Sequence, residues 1–191
     1  MLGHDAARIH AALNDLPAAL LVAAVVFDLL GAFLKRDSLK TAGFWTLVAG
    51  VLGGIAAAIS GLIAKEAAPL GTEAHGVAET HGTLAFIVLG LFALLALWRV
   101  VRRGVWSDKE QPVALTAAVI GVALMTFTAM LGGRLVFDHG VGIPTATLEA
   151  AALQRAALSG ENQPQAAPAA PLPADSTTPA PVPADSEPPP R

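Results

Sequence analysis

Four apolar runs, 16–34, 44–64, 82–98 and 113–136, occupy most of the first 136 residues, and one charge, Asp28, lies deep inside any of them. No other feature limits the fold so severely. About 20 apolar residues at 1.5 Å rise cross a hydrocarbon core of about 30 Å, and lipid gives a bare amide no partner, so each run must be helical. Composition agrees: 54% of residues are apolar and 14% charged, against roughly 25% charged in soluble domains. The fold class is all-α and integral to the membrane, a four-transmembrane-helix bundle. A net charge of −3, with the basic residues split between short loops, leaves no footprint for nucleic acid. The chain has no cysteine, which excludes disulfides, thiolate metal sites and covalently attached haem.

Residues 1–15 carry His4, Asp5, Arg8, His10, Asn14 and Asp15 without the short apolar core and cleavage pattern of a removable signal peptide. Asp15 and Pro17 predict that the first helix starts there, since proline suits a first turn. Gly50 and Gly54 form a G-x-x-x-G pair that lets another helix approach closely. Thr72, ahead of Glu73 and His75, predicts a short helix running into the third span. Lys35, Arg36 and Lys40 fill the first loop and Arg99, Arg102, Arg103 and Lys109 the third, against Arg8, Lys65 and Arg134 on the opposite side. The positive-inside rule then predicts a bacterial inner-membrane protein with both termini on the periplasmic side. Trp45, Trp98 and Trp106 fall at the cytoplasmic boundary, where indoles are favoured. Beyond the membrane domain (16–143), segment 144–160 predicts a soluble stretch with a short helix over 147–158. From Pro164 onward proline supplies 10 of 28 residues and Pro-Ala-Asp-Ser occurs twice, a composition that predicts a disordered tail over 161–191.

All five histidines, His4, His10, His75, His81 and His139, fall on the outer side of this topology. Asp15, Glu66, Glu73, Glu79, Arg134 and Asp138 join them. Imidazoles and carboxylates at one end of a bundle suit a divalent metal, or a b-type haem held by two histidines, which makes His10, His75, His81 and His139 candidate ligands. No spacing among them is diagnostic. His75 and Glu79 share a helix face; His75 and His81 do not. The competing reading is a set of interfacial histidines bonded to neighbouring helix ends.

Asp28 lies about 18 Å along the first span, where an ionised carboxylate costs around 2.5–3.5 kcal/mol, so it must face the bundle and find a partner. Thr46, Thr126 and the Trp45 indole are its candidate donors, and fixing helix packing is favoured over a proton or ion site. Arg134 and Asp138 are placed to pair on one face of the fourth helix. Gly132 and Gly133 permit close packing there, and Gly140 and Gly142 supply the turn out of the helix. No nucleophile–base pair, phosphate loop or zinc-protease spacing occurs.

Ile9 to Leu20, Ile-His-Ala-Ala-Leu-Asn-Asp-Leu-Pro-Ala-Ala-Leu, resembles the opening motif of a bacterial four-helix membrane family catalogued as domain of unknown function 2231. The likeness continues through Val26-Phe27-Asp28-Leu29-Leu30, the glycine-rich second helix and the histidine opening helix three. It closes on Leu131 to Ile143, which resembles the family's Gly-Gly-x-Leu-Val-x-x-x-Gly-Val-Gly ending. Ala11 stands where the family usually has proline, and Asp15 is a variant at its second polar position. The resemblance implies a four-helix membrane bundle of uncharacterised function, similar in architecture to membrane cytochromes b.

The residues favour a non-enzymatic membrane scaffold or partner subunit, embedded in the lipid bilayer, whose outer His/acidic cluster contacts a membrane or periplasmic protein. The alternatives are a b-type haem electron-transfer protein using His10, His81 and either His75 or His139, and a metal-binding or transport protein using the same residues.

Overall fold

The computed structural model describes residues 2–67 and 70–161; the expectation for the proline-rich tail lies almost wholly outside them. Five helices follow in order: α1 (Leu2–Phe33), α2 (Asp37–Ala67), α3 (Thr72–Val101), α4 (Glu110–Phe137) and α5 (Thr145–Glu161). The first four are long and apolar enough to cross a membrane. Short connections make neighbours antiparallel. The upper end of the bundle is where α1 and α3 begin and α2 and α4 finish; the lower end is the reverse.

Each long helix buries one narrow stripe and shows lipid the rest. The stripes meet in a core of Leu21, Ala24, Val25, Leu47, Val51, Val88, Phe92, Leu95, Ala96, Ala114 and Ala118. Phe92 at its centre is fully buried, while Leu52, Leu94, Leu97 and Met130 are among the many large apolar side chains turned outward. That pattern suits a solvent as apolar as the core itself, where packing and small residues rather than burial hold helices together. Gly50 seats Leu21 of α1 and Gly54 seats Leu89 of α3; a Cβ at either glycine would lie 2.8 Å from the leucine. Gly133 meets only Phe137 of its own helix, while Gly132 takes a histidine described below.

α1 does not start near residue 16. It runs unbroken from Leu2, so Pro17 is interior to it and Asp15 is an exposed mid-helix residue rather than a cap. An interior proline deletes one helical hydrogen bond. Pro17 is buried against α2, where Gly53 leaves room: a Cβ there would lie 3.5 Å from Pro17 Cδ. Neighbouring helices of this kind are what let membrane helices carry proline. At the other end of the bundle chain, Gly140 and Gly142 have φ of 65° and 83°, which turns the backbone out of α4 as glycine permits.

The hairpins α1–α2 and α3–α4 repeat one another with an offset of 71 residues. Leu21 sits on Gly50 and Phe92 sits on Gly121; His10 sits on Gly61 and His81 sits on Gly132. Adding 71 to each residue of the first pairing gives the second. Because α1 and α3 run in the same direction, the halves are related by a pseudo-two-fold along the bundle axis, a relation known among membrane folds.

Candidate functional site

Two polar pairs bridge α1 and α3, one near each end of the bundle. Both join residues 71 apart, His10 with His81 and Asp28 with Arg99. Each pair is therefore made of positions equivalent under the repeat. Along either helix the members are 18 residues apart, five turns, so they share one face and lie about 27 Å from each other.

At the upper end the two imidazoles stand 6.3 Å apart between ring centres, with planes at 85°. His10 Nδ1 is 3.0 Å from the Ala57 carbonyl oxygen and 3.2 Å from Ser60 Oγ on α2. His81 Nδ1 is 2.9 Å from the Thr128 carbonyl oxygen on α4. A carbonyl only accepts, so Nδ1 carries a hydrogen in both rings, and in a neutral imidazole Nε2 then keeps its lone pair. Ser60 reinforces this, because its hydroxyl also donates to Ala57 O, at 2.8 Å. Glycines set the depth of each ring: a Cβ at Gly61 would lie 2.9 Å from His10 Cε1, and one at Gly132 would lie 3.2 Å from His81 Cε1. Both rings line a chamber of about 90 Å³ to which all four long helices contribute. Its other walls are almost entirely apolar, with Asn14, Thr128 and Met125 as the residues that carry polar or soft groups. Bonds to a neighbouring helix account for Nδ1 in the way an interfacial histidine would; among the described residues neither Nε2 has a protein partner.

The remaining predicted residues lie elsewhere. His75 is exposed and 3.5 Å from Glu79, which also takes Lys65 at 3.0 Å and so ties α2 to α3 at the surface. Arg134 pairs with Asp138 at 3.6 Å within α4 and its exit turn, both exposed. His139 follows in that turn with Nε2 buried and without a partner among the described residues. Neither His75 nor His139 lines the chamber.

At the lower end Asp28 does face the bundle, but its partner is none of Thr46, Thr126 or Trp45. Arg99 Nη1 donates to Asp28 Oδ2 at 2.6 Å, and both side chains are buried. Arg99 Nη2 donates to Lys40 O at 2.5 Å and Nε to Gly104 O at 3.1 Å. The guanidinium carbon lies 4.4 Å from the Trp106 ring centre and 5.7 Å from that of Phe44, giving the cation aromatic cover. Arg99 thus belongs to the last turn of α3 and not to the loop. Gly43 is what admits Asp28, since a Cβ there would collide with Oδ1.

Residues 6–145 match the model of a family described as predicted membrane protein (DUF2231), a stretch that takes in both polar pairs and the closing glycine turn. The chain belongs to that family. No curated protein and no solved structure matches it. For this DUF2231 member the geometry adds what the family description leaves open: which polar residues meet. Sequence reasoning missed Arg99 because a basic residue at the end of a span reads as a loop cation. The signal that would have exposed it is the common spacing of 18 from His10 to Asp28 and from His81 to Arg99.

Proposed function

We propose that this protein is a membrane-embedded metal-centre protein in which His10 and His81 bind one metal through Nε2 from opposite sides. One observation carries the reading: both Nδ1–H groups are committed to helix carbonyls, and the two rings line one largely apolar chamber with no partner for Nε2 among the described residues. A carbonyl accepting from the far nitrogen is how proteins fix a ligating histidine. The spacing agrees. Two metal–nitrogen bonds of about 2.0 Å, each with a ring centre roughly 1 Å beyond, separate the centres by about 6 Å, close to the 6.3 Å between these rings.

The cluster of carboxylates and four histidines expected from the sequence narrows to these two histidines. Loop cations support placing them at the outer face. Without Arg99, the lower end still carries Lys35, Arg36, Lys40, Arg102, Arg103 and Lys109, which the positive-inside rule assigns to the cytoplasm. In a bacterial inner membrane the chamber then opens near the periplasmic surface, suited to electron or metal-ion transfer rather than to bond-making chemistry.

The test is metal content and visible spectrum of the full chain in mild detergent, as purified and after exposure to Cu(I), Zn(II) or haemin. One equivalent of a metal or haem per chain is expected, lost in both His10→Ala and His81→Ala. A chain that retains none of the three, or retains one equally well in both variants, overturns the reading.

A further inference from the structure

Resting on that reading, we propose that the metal is a single monovalent copper ion held by His10, His81 and the thioether of Met125. The donor set argues first. Among the described residues no three His, Cys, Asp or Glu side chains converge anywhere. Zinc takes three or four such ligands, and calcium and magnesium take oxygens, carboxylates among them. Two imidazoles with a thioether are soft donors in low number, the set that selects Cu(I).

Charge argues second. Among the described residues no carboxylate lines the chamber. Burying an unneutralised ion at low dielectric is costly, and the cost rises steeply with charge, so one positive charge is tolerated where two are not.

Room argues third. Pockets that enclose organic ligands run to about 300–1,000 Å³. A chamber of about 90 Å³ accommodates an ion, whereas a porphyrin needs the helices to part.

The repeat explains the asymmetry of the third ligand. Met125 occupies the position equivalent to Gly54, whose space is already filled by Leu89. One half of the pseudo-two-fold therefore offers sulfur at this position, and the other offers a glycine whose space is taken by Leu89 of α3. On α4, Met125 lies three residues before Thr128, on the face whose carbonyl holds His81. Methionine's three rotatable bonds let its sulfur adapt to the ion.

The experiment is anaerobic titration of the detergent-purified full chain with Cu(I) against a chromogenic Cu(I) chelator, joined to X-ray absorption at the copper edge. One Cu(I) per chain is expected, with two nitrogen ligands and one sulfur. Met125→Leu keeps the volume and so keeps the fold. It is expected to remove the sulfur shell and weaken Cu(I) by at least about tenfold, the lower end of what losing even a supporting group costs. Unchanged affinity and a sulfur-free shell in the unmutated chain would overturn the assignment of Met125. Haem retained by the chain, or Zn(II) held more tightly than Cu(I), would overturn copper while leaving the two-histidine centre standing. Binding of none of the three removes both.

Discussion

At the residue scale, a glycine under each imidazole sets the depth of the ring. A Cβ at Gly61 would come within 2.9 Å of His10 Cε1, while at Gly132 the gap to His81 is 3.2 Å. Gly61→Ala must therefore displace a ring that is tied to Ala57 O, whereas Gly132→Ala asks His81 to yield by a few tenths of an ångström. We expect Gly61→Ala to destabilise the protein by about 1 kcal/mol, the worth of one hydrogen bond, and to weaken metal retention about tenfold or more. Gly132→Ala should do less on both counts. Parallel thermal melts and metal titrations compare the two, and the reverse ranking would mean the rings are not seated this way. His10 and His81 were each visible in the sequence as candidate ligands. Their pairing was not, because residues 71 apart have no local relation; His75 with Glu79 and Arg134 with Asp138 were legible because four residues along a helix bring side chains together.

At the scale of elements, Arg99 is the point where the lower ends of the helices are tied. Its three donor groups reach α1 through Asp28, α2 through Lys40 O and the α3–α4 connection through Gly104 O. Removing one partner of a buried pair leaves the other uncompensated, at a cost of about 3–5 kcal/mol. Asp28→Ala and Arg99→Ala should each approach that loss in unfolding experiments in detergent. The double variant Asp28→Leu/Arg99→Met, apolar and similar in volume, should lose clearly less than the sum. An additive result would show that the pair is not coupled. Gly43→Ala belongs with the single losses, since its Cβ would land on Asp28 Oδ1. Pro17→Ala, by contrast, restores a backbone donor on a face that Gly53 leaves open, so we expect a change within about 1 kcal/mol in the same melts. The four spans were legible from hydropathy because lipid allows long apolar runs only one solution. The start of α1 was not: Asp15 and Pro17 imitate a helix start, and only packing against α2 carries the helix through them.

At the scale of the whole molecule, the two polar pairs bracket the core that lies between them. Five turns separate them on each of α1 and α3, about 27 Å, close to the thickness of a hydrocarbon core. Imidazoles at one limit and a carboxylate–guanidinium pair at the other leave Leu21, Ala24, Val25, Val88, Phe92 and Leu95 as the apolar length between. The repeat gives this arrangement its economy, since equivalent positions of two hairpins meet on the pseudo-axis and one local solution, a histidine on a glycine beneath a carbonyl, is used twice. The outer placement proposed for the histidines gives a topology experiment a definite expected result. The chain has no natural cysteine, so single substitutions are labelled without background. Glu73→Cys reports the upper end, at the start of α3, and Asp108→Cys the lower end, just before α4; both positions are exposed. A membrane-impermeant maleimide applied to intact spheroplasts is expected to label position 73 alone, with position 108 labelled only after the membrane is opened. The reverse pattern would place the histidine chamber at the cytoplasmic face, against the six cations that remain at the lower end once Arg99 is assigned to the bundle. Labelling of both from outside would deny the four-span topology on which the bracketing rests.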